Sequence, residues 1–189
     1  MACFHDAPSV PAGIVNSVNE HGTEVGTVLS SHPEIDVISF TGSSRTGKII
    51  MANASDTIKH VSLELGGKAP ALVFDDADLD KSVSEIRRGV LALNGQMCTC
   101  ISRILVQDSV YDSVRQRLKE AFTSVKIGDA SAAGTELGPI IDRANQQRLA
   151  GIIERAADQA QMVIHGGVGD GELAKGCLLY TSPSPRDPT

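Results

Sequence analysis

Asn94-Gly95-Gln96-Met97-Cys98 is the stretch on which the reading of this chain turns. Apolar residues at Leu79, Val83, Ile86, Val90 and Leu93 lead up to it at alternating spacings of four and three, the pattern of an amphipathic helix. Gly95 then ends the helix and frees the backbone for a tight approach. A β-type run, Ile104-Leu105-Val106, follows. A thiol in a loop between two buried elements sits where nucleophiles are presented. A free cysteine is equally at home as a small buried hydrophobe. Spacing alone leaves both readings of Cys98 open.

Working outward toward the N-terminus, Val61 to Leu65 alternates as a strand, with Val61, Leu63 and Leu65 on one face and Ser62 and Glu64 on the other. If that strand is interior, burial favours the neutral form of Glu64 and suits it to general-base work near neutral pH. The competing reading is a salt bridge to a nearby lysine. Gly66-Gly67 reads as a hinge between domains. Upstream, Asp36 to Phe40 reads as a strand and Thr46 to Ala54 as a helix. The run Gly42 to Lys48 between them satisfies the first part of G-x-x-x-x-G-K. The next residue is Ile49, which lacks the hydroxyl that holds magnesium in a phosphate loop, so the metal–triphosphate reading is rejected. Hydroxyls and backbone N–H groups at that helix start suit a single phosphate, or Ser43 or Ser44 simply caps the helix. Farther back, Ile14-Val15 reads as a short strand. Residues 19–26 read as a turn into a helix capped by Thr23 and running to Ser30, with Gly22 and Gly26 allowing close approach.

Toward the C-terminus, Ala71 to Phe74 reads as a strand. Asp75, Asp76, Asp78 and Asp80 crowd the following helix start, where acids complement the helix dipole. That role is preferred over metal binding, and no metal site is expected. Val110, Val114, Leu118, Ala121 and Val125 mark a helix with a charged solvated face. Another helix runs from about Asp142 to Ala160, and Met162-Val163-Ile164 reads as a last strand.

Composition narrows the classes. Seventeen basic against 23 acidic residues give a net charge of −6, which argues against nucleic-acid and polybasic membrane roles. No apolar run approaches the roughly 18 residues of a membrane span, and no signal peptide is visible. Cys3, Cys98, Cys100 and Cys177 form no disulfide framework and no zinc pattern, so they read as reduced thiols in a reducing compartment. The expected class is α/β.

Together these runs resemble the aldehyde dehydrogenase superfamily. The resemblance is carried by Pro11-Ala12-Gly13-Ile14-Val15-Asn16, Phe40-Thr41-Gly42-Ser43, Leu63-Glu64-Leu65-Gly66-Gly67-Lys68, Phe74-Asp75-Asp76-Ala77-Asp78-Leu79, and Asn94-Gly95-Gln96-Met97-Cys98 with Arg103 downstream. Leu137-Gly138-Pro139 also fits. The resemblance implies the C-terminal part of a Rossmann-like dinucleotide-binding domain over residues 1–66 and the N-terminal part of an α/β catalytic domain over residues 67–176. It implies oxidation of an aldehyde to a carboxylic acid with NAD or NADP. Cys98 is then the nucleophile, passing through a thiohemiacetal and a thioester, and Glu64 activates the hydrolytic water. Gly22, Gly26, Gly42, Ser43, Gly47, Leu65 and Gly66 are then cofactor-binding. The partner is a small-molecule aldehyde, and the parent is a cytoplasmic homodimer or homotetramer.

Glu64 favours hydrolytic members over those that pass the acyl group to coenzyme A, and over reductases of acyl phosphates. The rival class is a non-catalytic protein that keeps the fold for a structural or binding role. Glu20 departs from the family, which commonly has glycine there. A carboxylate near a pyrophosphate is unfavourable, so Glu20 is expected to point away or the cofactor geometry to differ. The similarity covers residues 1–176, an internal fragment expected to be inactive and prone to aggregate through uncovered apolar faces. Residues 177–189 resemble a translated sequencing adapter and read as a non-native tail.

Overall fold

Side-chain caps start three of the helices in this protein, whose computed structural model describes residues 10, 11 and 13–164. The fold is α/β, and the chain divides into two units, Met1–Leu65 and Gly66–Thr189.

In the first unit, helix α1 (Glu24–Ser31) leads into strand β1 (Val37–Gly42), helix α2 (Ser44–Ser55) and strand β2 (His60–Leu65). β1 and β2 are parallel, in register from Val37 opposite His60 to Gly42 opposite Leu65. Ser43 caps α2 by accepting from the Thr46 N–H at 3.2 Å. Alternation along β2 leaves Val61, Leu63 and Leu65 half-buried and His60, Ser62 and Glu64 exposed. α2 turns Gly47, Ile50 and Ala54 inward, at spacings of three and four. A Cβ at Gly47 would stand 3.0 Å from Leu65 Cδ2, so the bare glycine lets α2 close onto β2. Asn53 Nδ2 donates to Ser30 Oγ at 2.8 Å and ties the last turns of α2 and α1 together.

Two expectations in this unit change. Ile14 and Val15 form no strand, and Ile14 is exposed, because no described segment pairs with them. Thr23 occupies the cap position of α1, yet its side chain makes no capping hydrogen bond.

In the second unit, strand β3 (Ala69–Val73), helix α3 (Leu79–Leu91), strand β4 (Ile101–Val106), helix α4 (Tyr111–Thr123) and helix α5 (Arg143–Ala157) follow in order. β3 and β4 are parallel, with a register shift between Ala69 and Pro70. Val73, Ile86 and Val114 form the buried centre, with Ala71, Leu79, Val90, Ile104 and Leu118 packed around it. Full burial of such side chains stabilises by roughly 1.5–3 kcal/mol each. Asp78 caps α3, accepting from the Asp80 and Lys81 N–H groups, both at 3.1 Å. Asp80 pairs with Arg117, and Asp75 accepts from Gln107 Nε2 at 2.8 Å.

The stripe on α3 holds through Val90 and then stops. Ala92–Gly95 is a short 3₁₀ turn, in which Leu93 and Asn94 have φ of 48° and 57°. Leu93 therefore leaves the apolar face and is 70% exposed. The break comes before Gly95. Met162 to Ile164 is irregular, without a strand partner among the described residues. The proposed tail, residues 177–189, lies outside the described residues, as do Cys3 and Cys177. No described helix is long and apolar enough to cross a membrane.

Candidate active site

Three successive residues with positive φ, Leu93, Asn94 and Gly95, turn the chain sharply out of α3. Asn tolerates this region better than most residues, and Gly adopts it freely. The Asn94 side chain then fastens the turn. Its Nδ2 donates to the Gly138 carbonyl at 3.1 Å and the Pro139 carbonyl at 3.0 Å. Gln96 makes the second tie. Its Oε1 accepts from the Ile141 N–H at 3.3 Å, and its Nε2 donates to the Leu93 carbonyl at 3.3 Å. Arg87 on α3 pairs with Glu136, and Glu136 also accepts from the Lys126 N–H at 3.3 Å. These donors, led by Arg87, hold the Glu136 carboxyl below the usual carboxylate range.

The loop held in this way presents Cys98 exposed and Cys100 buried. Cys100 Sγ approaches the Ala92 carbonyl at 3.3 Å, and its N–H donates to the Met97 carbonyl at 3.1 Å. The N–H of Cys98 donates to no acceptor among the described residues. Beside it runs Gly67, where a Cβ would lie 3.8 Å from the Cys98 carbonyl oxygen. A cleft of about 300 Å³ adjoins the loop, walled by Lys68, Asn94, Gln96, Met97, Cys100 and Arg148. An apolar cavity of about 340 Å³ lies apart from it, among Ile104, Val106, Leu118, Phe122, Met162 and Ile164. The site thus offers an accessible thiol and a free backbone donor at the same residue, while the neighbouring cleft is lined by Cys100 and not by Cys98.

Glu64 stands in the first unit. Its side chain is exposed, and its carboxylate has no partner among the described residues. The interior setting expected for it is not met, because β2 turns its 60, 62 and 64 positions outward and pairs only with β1 among the described strands. The salt-bridge reading finds no partner either.

Of the sequence-derived cofactor residues, Gly42, Ser43 and Leu65 lie at the carboxyl ends of β1 and β2. Gly42 lies opposite Leu65 and Thr41 opposite Glu64, and Ser43 follows directly at the start of α2. Ligands of open parallel sheets bind at this end. Gly47 faces Leu63 and Leu65 and serves packing, whereas Gly22 and Gly66 have open space around them. Gly26 sits in the first turn of α1. The N–H groups of Val25 and Gly26 form a donor set that fits an anion by chemistry. The group using them is the Glu20 carboxylate, at 2.8 Å from Val25 N and 3.0 Å from Gly26 N. Glu20 does not point away. The Val25 and Gly26 bonds hold its carboxyl below the usual range.

Sequence reasoning singled out Glu20 as a departure but missed it as the group at the helix start. It also missed the ties made by Asn94 and Gln96. The Asn-Gly pair at 94–95, a dipeptide suited to positive φ, was the available signal for the turn.

Parallel strands linked through helices in both units make this an α/β protein. The model of the aldehyde dehydrogenase family matches residues 1–183, and the chain belongs to that family. It is 38% identical over 170 residues to a chloroplastic aminoaldehyde dehydrogenase of Arabidopsis thaliana, covering 90% of this chain and 34% of that protein. It is 41% identical over 158 residues to a mitochondrial succinate-semialdehyde dehydrogenase of the same plant, covering 84% and 30%. Among solved structures it resembles a betaine aldehyde dehydrogenase of Staphylococcus aureus in complex with NAD+, with a TM-score of 0.81 and 36% identity, covering 88% and 33%. The chain spans about a third of the length of these relatives.

Proposed function

We propose that this chain is part of an NAD(P)-dependent aldehyde dehydrogenase that oxidises a small aldehyde to its carboxylic acid. The observation that carries the reading is the exposed Cys98 thiol on a loop fastened by Asn94 and Gln96, with a free N–H at the same residue. The Cys98 sulfur adds to the aldehyde carbon, forming a C–S bond. The oxyanion so formed takes a hydrogen bond from the Cys98 N–H. Bound NAD or NADP supplies the hydride acceptor that turns this thiohemiacetal into a thioester. Glu64 then removes a proton from water, whose oxygen attacks the thioester carbon. The C–S bond breaks, the acid leaves and the thiolate is regenerated.

The first unit supplies Glu64 and most of the cofactor residues, and the second supplies Cys98 and Gly66. Gly22, Gly26, Gly42, Ser43, Leu65 and Gly66 line the dinucleotide site, and Gly47 acts through the seating of α2 on β2. The parent assembles as a homodimer or homotetramer. A reactive free thiol suits a reducing compartment, which we take to be the cytoplasm. We assign this activity to the longer protein, because the chain spans about a third of the length of its relatives.

The test is intact-mass measurement of the complete enzyme quenched during turnover of an aldehyde with NAD+ or NADP+. Cys98→Ser should form no acyl adduct. Glu64→Gln should accumulate one, because hydrolysis is slowed after acylation. An acyl adduct on Cys98→Ser would remove Cys98 from its role.

A further inference from the structure

We propose that the cavity between β4, α4 and α5 binds an aliphatic carboxylate of about ten non-hydrogen atoms, its chain among apolar side chains and its head on Arg115 and Lys119. The cavity measures about 340 Å³, within the size range of small-molecule sites. At roughly 30 Å³ for each water-sized group, it takes about ten such groups. Val114, Leu118, Ile153 and Met162 give it an apolar wall. Arg115 and Lys119 stand one turn apart on α4 and so share one side of it. No Asp or Glu lines it among the described residues. Arg115 also carries a donor that no described residue answers. Its Nε is buried without a hydrogen-bond partner, and its side chain enters no ion pair among the described residues. Arg117, two positions on, is paired with Asp80. A buried charged donor without an acceptor is unfavourable, and the group that relieves it is an anion. A guanidinium offers parallel N–H groups, which match the two oxygens of a carboxylate. The apolar wall calls for a hydrocarbon chain behind that head, which an inorganic anion lacks. The site draws on neither Cys98 nor a dinucleotide. Its lining residues lie between Ile104 and Ile164 in the second unit, so this chain carries them itself.

The test uses the full 189-residue chain without cofactor. Octanoate is titrated while NMR follows the methyl groups of Val114, Leu118 and Ile153 and the Arg115 Nε–H. Octanoate should shift them all and bind with a Kd below about 1 mM, the scale for a ligand this small. 1-Octanol keeps the chain without the charge, and octylammonium reverses the charge. Both should bind about tenfold more weakly, the factor expected of one charge-assisted hydrogen bond. Acetate, which keeps the head without the chain, should leave the methyls unmoved. Arg115→Gln should weaken octanoate by about tenfold and leave 1-octanol unchanged. Lys119→Gln, at an exposed position, should weaken octanoate by about threefold. The comparison of octanoate with 1-octanol in the wild type needs no variant, so it decides even where Arg115→Gln does not fold. Equal affinities for octanoate and 1-octanol would overturn the proposal. So would methyls that octanoate leaves unmoved up to about 10 mM. Full octanoate affinity in a folded Arg115→Gln would overturn the placing of the head. Cavity methyls that shift with protein concentration and not with octanoate would give the cavity to a second copy of the chain, and overturn the proposal as well.

Discussion

Cys98 and Cys100 stand two positions apart in opposite surroundings, one exposed and the other buried against the Ala92 carbonyl. Iodoacetamide should therefore alkylate Cys98 of the folded chain at least tenfold faster than Cys100, the difference vanishing in denaturant. Peptide mass mapping reads this directly. Glu20 makes a second residue-scale prediction. Its carboxyl is held below its ordinary range in the folded state by the Val25 and Gly26 N–H groups. The contribution to α1 is thus fully present above the unfolded value and is lost as pH falls through the lower folded value. Helicity of residues 24–31, followed by NMR, should drop with acid in the wild type, and Glu20→Gln should lack that step. The loop that carries Cys98 was legible because Asn94-Gly95 follows a clear helical stripe, while spacing alone left both readings of the thiol open. The exposure of Glu64 was not. Alternation along a strand says which residues share a face, and what covers that face depends on segments far away in sequence.

The Asn94 side chain joins two elements of the second unit, the turn after α3 and the Gly138–Pro139 segment. Asn94→Ala removes both hydrogen bonds and puts a Cβ-bearing residue without a compensating side chain at a φ of 57°. It should destabilise the second unit by about 1–3 kcal/mol in a urea melt. Asn94→Gly should recover part of the loss, since it restores only the backbone freedom. Gly47→Ala brings a Cβ to 3.0 Å from Leu65 Cδ2. The resulting displacement of α2 should outweigh the roughly 1 kcal/mol gain in helix propensity and give a net loss of stability. Elements with their own local signals were legible. Ser43, Asp78 and Asp142 each accept from a backbone N–H at a helix start. By contrast, Ile14-Val15 and Met162 to Ile164 have apolar strand composition and form no strand. A strand is made by its partner's hydrogen bonds, which a short window of sequence does not contain. The end of α3 was misjudged for a related reason. Leu93 keeps the helical spacing, but the backbone breaks at Ala92, where ψ is 124°.

At the scale of the whole molecule, Leu72 and Leu105 are register partners on β3 and β4, 60% and 53% exposed. Such an apolar pair on a two-stranded sheet favours self-association. Light scattering of the chain should rise with concentration, and Leu72→Lys with Leu105→Lys should suppress the rise. The measurement that tests the central claim most directly needs no cofactor. The purified chain is treated with 4-nitrophenyl acetate, an activated ester that any competent nucleophile can open. The acylated residue is then found by mass spectrometry. The account predicts a thioester at Cys98, absent in Cys98→Ser and slower to form in Asn94→Gly, with Cys100 unmodified. Acylation at Cys100, or at Cys98 no faster than in the denatured chain, would contradict it.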